Sequence, residues 1–145
     1  MGILGKIAGI TELISVFIPI MLIAGYYGTP ILIFYWIGGL ILVIGFGTFF
    51  LFVYDIFGIL IALLILVNGV LCLTKEGKIL VISGLITIFL MHFYYIWMVN
   101  RLYFTLNFYE LTRDRIILTP FISFYSILMS GILAIIGGAR SWEKL

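Results

Sequence analysis

ILIFYWIGGLILVIGFGTFFLFVYDIFGILIALLILVNGVLCL, residues 31–73, carries a single charge, Asp55. At the helical rise of about 1.5 Å per residue this run would be roughly 65 Å long, about twice the hydrocarbon thickness of a bilayer. Read as helix, it crosses a membrane twice and turns at Tyr54 and Asp55. The flanking sequence has the same texture. The expectation is an all-α, polytopic integral membrane protein with about five transmembrane helices and short loops. It forms a single transmembrane domain over residues 1–145, with spans near 7–27, 31–53, 56–73, 79–98 and 116–137. Four spans result instead if the segment from Gly45 to Gly58 is re-entrant or if the first helix lies on the surface. The expected location is the cell membrane, multi-pass.

Composition supports that class. The chain is 65% hydrophobic and 10% charged, where a soluble domain of 145 residues carries about a quarter charged residues. Its eight basic and six acidic residues group where segments must surface, at Lys6, Glu12, Asp55, Lys75-Glu76-Gly77-Lys78, Arg101 to Arg115 and Arg140 to Lys144. A net charge of +2, dispersed in this way, excludes nucleic acid as a partner and reads as topology marking. Orientation is close to balanced; the Arg101 to Arg115 segment tilts it toward an amino terminus in the cytoplasm. The lone Cys72 has no disulfide partner and reads as a small core residue. The apolar stretch after Lys6 is too long for a signal-peptide core, so the amino terminus is expected to be retained.

A few residues break the apolar pattern. Pro19 should bend the first span by removing a backbone hydrogen bond. Glu12 is expected within reach of the headgroups, and Gly28-Thr29-Pro30 reads as a tight turn. Gly38, Gly39, Gly45 and Gly47 read as packing glycines of the second span. Asp55 can cap the helix that follows it and, in an antiparallel hairpin, shares an interface with Arg101, where the two can pair. Leu102 to Arg115 is either a continuation of helix or an interfacial stretch.

Ser126, Ser130, Ala134 and Gly138 recur every four residues and make a small-residue stripe suited to close helix packing. Two polar residues fall inside spans. Asn68 lies about 10 Å below the Lys75 interface and His92 about 20 Å along the helix from Lys78. An intramembrane ionisable residue is a functional-site hypothesis by default, so His92 is a candidate cofactor ligand, to haem or quinone. The plainer role for it is a hydrogen bond to a neighbouring carbonyl or hydroxyl. No carboxylate is expected mid-span, which leaves no proton or sodium relay visible. No nucleophile with a partnered base, Cys/His metal cluster or phosphate loop is present.

The functional expectation is therefore a small, non-catalytic integral membrane subunit without its own cofactor. Its partners are the lipid bilayer and other integral membrane subunits, respiratory and other energy-transducing complexes being the common hosts for such chains. The alternatives are a small homo-oligomeric transporter or channel, and a haem- or quinone-binding electron carrier using His92.

Overall fold

The computed structural model of the chain describes residues 2–26, 30–45, 47–52, 55–106 and 117–143. Four helices, α1 (Ile3–Ser15), α2 (Ile56–Thr74), α3 (Lys78–Leu106) and α4 (Ile122–Trp142), accompany five strands. The strands are β1 (Met21–Tyr26), β2 (Pro30–Tyr35), β3 (Leu40–Ile44), β4 (Thr48–Phe52) and β5 (Ile117–Pro120). The all-α expectation with five spans is overturned. Only three helices among the described residues are long and apolar enough to cross a membrane: α2, Lys78–Arg101 within α3, and α4. They overlap the expected spans at 56–73, 79–98 and 116–137. The expected spans at 7–27 and 31–53 are not membrane helices. The Gly28-Thr29 part of the first expected turn and the charges at Arg113, Asp114 and Arg115 lie outside the described residues.

The opening run folds as strands because its glycines are turn residues rather than packing residues. Gly38, Gly39, Gly45 and Gly47 have φ of 104°, 100°, 145° and 107°, which helical residues do not adopt. They divide the run into apolar pieces five or six residues long, rich in β-branched and aromatic side chains, which suits a pleated strand. Gly39 N–H donates to the Trp36 carbonyl at 3.2 Å, and Trp36 N–H to the Leu40 carbonyl at 2.9 Å, closing the β2–β3 turn. Pro30 opens β2, where a missing N–H costs least.

The result is an antiparallel meander with β5 added beside β1, in spatial order β4-β3-β2-β1-β5. Its registers pair Met21 with Tyr35, Tyr35 with Ile41, Leu40 with Phe52 and Met21 with Pro120. In the first expected span, Pro19 does more than bend the helix. The helix ends at Ser15, and the residues before the proline leave helical geometry. Ile20 then joins the sheet, donating to the Tyr35 carbonyl and accepting from Phe121 N–H, both at 2.8 Å.

The helices form a bundle in which neighbours run antiparallel. Gly5 lies against Cys72 and Leu80, and Gly9 against Gly69 and Leu73, which sets α1 along α2. Gly137 meets Leu4 and Gly5, setting α1 along α4, while Gly84 and Gly131 bring α3 and α4 together. The sheet closes the end of the bundle where α1 stops and α2 and α4 begin. One apolar cluster joins Met21, Ile23 and Tyr35 of the sheet to Ile65, Met91, Tyr94 and Ile127 of the helices. The segment after Met98, open in sequence between helix and interfacial chain, continues α3 as helix to Leu106; residues 107–116 lie outside the described set.

The polarity of this bundle is inverted relative to a soluble one. Ile3, Ile7, Ile10 and Ile14 form the exposed face of α1, and Leu60, Leu63, Leu64 and Val67 that of α2. Inside lie Glu12, Ser15, Asn68, Ser83, Thr87, Ser123 and Ser130. This is the arrangement that a hydrocarbon surround would stabilise, because apolar side chains would then cost nothing outside while polar groups find each other inside.

Candidate functional site

Two buried polar clusters are built where the helices converge. The first centres on Glu12, in the last turn of α1. Its side chain is fully buried, because the apolar face of α1 points outward and turns Glu12 inward. Asn68 of α2 donates from Nδ2 to the Ser83 carbonyl at 2.7 Å and to Thr87 Oγ1. Thr87 Oγ1 in turn donates to Glu12 Oε1, and Ser130 Oγ of α4 donates to the same oxygen at 3.2 Å. All four helices thus contribute one polar side chain to a single network. Glu12 Oε2 is buried and has no hydrogen-bond partner among the described residues.

Ser83, Thr87 and Glu12 were not singled out as partners of Asn68 in sequence. The signal for Glu12 was nevertheless present: an apolar stripe at Ile3, Ile7, Ile10 and Ile14 places residues 12 and 15 on the opposite face. In lipid that opposite face is the interior. A carboxylate thus lies inside the bundle, on a helix that is not among the three of membrane-spanning length.

Below Glu12 toward the sheet, α1 and α4 are joined by a serine seam. Ser15 Oγ and Ser126 Oγ share a hydrogen bond of 2.6 Å, and Ser123 Oγ donates to the Ser15 carbonyl at 2.6 Å. The stripe residues Ser126 and Ser130 therefore face α1, and Ala134 is fully buried. Gly138 faces α3: a Cβ there would lie 2.7 Å from Val81 Cγ2 and 2.8 Å from the Gly77 carbonyl oxygen.

The second cluster surrounds Asp55. Its Oδ1 accepts from Gly58 N–H at 3.0 Å, capping α2 and satisfying one of the free amides of the first turn. Its Oδ2 accepts from Tyr35 of β2 at 3.1 Å and Tyr94 of α3 at 3.0 Å. Arg101 Nη1 stands 3.7 Å from Oδ1, and the guanidinium also lies 5.2 Å from the centre of the Trp97 ring. Burial, then the neighbouring carboxylate, pushes the Tyr35 phenol up to about 12, so it remains a hydrogen-bond donor well into the alkaline range. Asp55 thereby fastens sheet, α2 and α3 at one point. Tyr35 and Tyr94 lie 20 and 39 residues away in sequence, so no local pattern pointed to them.

His92 belongs to neither cluster. It is on the exposed side of α3, its Nδ1 2.9 Å from the Ile88 carbonyl one turn earlier, its ring edge toward Phe124. No group of three or more His, Cys, Asp or Glu side chains suited to a metal occurs among the described residues. Compared with known proteins, the chain matches no family model and no curated sequence at a significant level.

Proposed function

We propose that this chain is a small, non-catalytic, multi-pass subunit of a larger assembly in the cell membrane. Its spanning helices anchor it, and the open edge of its sheet joins it to a neighbouring integral membrane subunit. The observation that carries this reading is strand β4. All five of its residues, Thr48–Phe52, are exposed, with Phe50 and Phe52 each at 64%. β4 is the last strand on its side of the sheet, so one row of backbone N–H and C=O groups has no ladder partner among the described residues.

Neither lipid nor water suits that edge. Hydrocarbon cannot hydrogen-bond the free backbone groups, which is why open sheet edges are not found facing lipid. Water can, but a flat edge of Phe and Leu without charge or proline is a template for uncontrolled strand pairing. A strand supplied by another protein satisfies both demands, giving main-chain hydrogen bonds and covering the phenylalanines.

The test is extraction of the chain from its native membrane in mild detergent, followed by native electrophoresis. Migration with other membrane proteins is expected; migration as a single chain overturns the reading, and a homodimer moves it to the homo-oligomeric alternative. Replacing Phe50 and Phe52 by lysine, the usual guard of natural edge strands, should release the partners while the helical content stays unchanged.

A further inference from the structure

We propose that Glu12, with Asn68, Thr87 and Ser130 around it, forms a binding site for one monovalent cation, a proton or an alkali-metal ion, inside the helical bundle. The inference rests on a count of charges and donors. Asn68 spends its two amide hydrogens on the Ser83 carbonyl and Thr87 Oγ1. The Thr87 hydroxyl is shared between Glu12 Oε1 and the Ser83 carbonyl at 3.0 Å, and the Ser130 hydroxyl between the same Oε1 and the Ile127 carbonyl at 2.7 Å. All the hydrogen bonds that reach the carboxylate converge on one oxygen. Oε2 remains buried without a partner.

An ionised carboxylate in this position lacks compensation. The elements packed around it bring no positive charge: α2 presents Asn68 and the buried Cys72, α3 presents Ser83 and Thr87, and α4 presents Ser130. Cys72, which is close enough to interact electrostatically with Glu12, is the only other titratable group facing it among the described residues. On α1 itself, Lys6 lies on the exposed side, and His92 on α3 turns outward toward its own helix. A bare carboxylate away from water is strongly disfavoured unless a counter-charge accompanies it. The fourth lone-pair site of the network, at Oε2, is where that charge sits. A carboxylate oxygen among neutral hydroxyls is a hard donor, of the kind that suits a proton or a small alkali ion rather than a soft transition metal.

The sign of the pH effect follows. The bundle tolerates the neutral or cation-paired carboxyl, so stability is full at low pH and is lost as pH rises through the carboxyl's titration.

The experiment uses the whole chain in detergent, with thermal unfolding followed by circular dichroism from mildly acid to alkaline pH. Choline chloride serves as the background salt, with and without sodium chloride. The carboxyl is raised by burial to about 7, so the melting temperature is expected to fall by about 3–5 °C per pH unit between about pH 4.5 and 7 and to level off above that. Recovery on adding sodium at alkaline pH identifies a metal ion; a dependence on pH alone identifies a proton. Glu12→Gln should remove both dependences, and Cys72→Ala should remove neither.

Infrared difference spectra of the wild-type chain give a readout that does not require a variant to fold. A carboxylic-acid carbonyl band should grow on acidification in the proton case, and the carboxylate bands should shift with sodium in the metal case. A wild type insensitive to pH and sodium, or a Glu12→Gln variant as sensitive as the wild type, overturns the site. Loss of partners in native electrophoresis bears on the subunit reading alone, so the two can fail independently.

Discussion

Asp55→Ala should destabilise the protein by about 4 kcal/mol, lowering its melting temperature by roughly 10 °C or more. The figure sums three losses. Removing the cap of α2 costs about 1 kcal/mol. The Tyr35 and Tyr94 hydroxyls, both on buried side chains, then lose their shared acceptor, at about 1–3 kcal/mol each. The Arg101 pair adds little, because its guanidinium is about half exposed and screened. Asp55→Asn keeps an oxygen for Gly58 N–H but turns an amide donor toward two hydroxyls, so its effect should be about half as large. Tyr94→Phe removes donor and need together and should cost less than either. Thermal unfolding of the three variants checks the order. If Asp55→Ala melts within a few degrees of the wild type, the carboxylate is not the fastening point between sheet and helices.

The second large effect is expected at the α3–α4 contact. Leucine at Gly131 would meet Ile88 Cγ1, 2.7 Å from its Cβ, and the Gly84 carbonyl oxygen at 2.9 Å. A flexible side chain can move away, but a helix backbone cannot, so the two helices must separate. We expect a loss of about 3 kcal/mol or more, at the upper end of overpacking costs. Ala139→Leu, on the exposed face of the same helix, should change stability by less than about 0.5 kcal/mol. Combining Gly131→Leu with Gly84→Leu should cost less than the two separately, since the first already parts the contact. Unfolding of all four variants in detergent gives the comparison. Equal effects for Gly131→Leu and Ala139→Leu would show that the helices do not pack through these glycines.

Three helices were legible in sequence for a simple reason: an apolar segment about 20 residues long has one structural meaning in a membrane. The sheet was hidden because its strands are apolar on both faces. Two-residue alternation, which separates strand from helix, is absent from PILIFY, LILVI and TFFLF, so their periodicity resembles that of a buried helix. The remaining clue was punctuation, with glycines at 38, 39, 45 and 47 ending short runs where a helix interior tolerates them poorly.

The burial of Glu12 is hidden in sequence for the same reason. A first helix drawn through to Tyr27 places residue 12 near its outer end, whereas a helix ending at Ser15 places it in the last turn, facing the other three. Asp55 was read as a cap from its position at the end of an apolar run, with Arg101 as its neighbour. The tyrosines that complete its surroundings come from a strand that had not been seen and from a helix turn chosen only by packing.

The network around Glu12 also sets a clock on assembly. Ser130 follows Glu12 by 118 residues and Ser123 follows Ser15 by 108, so α1 leaves the ribosome long before the serines that cover its polar face. At about 5–20 residues per second, the interval is on the order of ten seconds. During it Glu12 and Ser15 lack their α4 partners, and lipid offers no substitute. Synthesis of α4 is therefore the event that covers the polar face of α1.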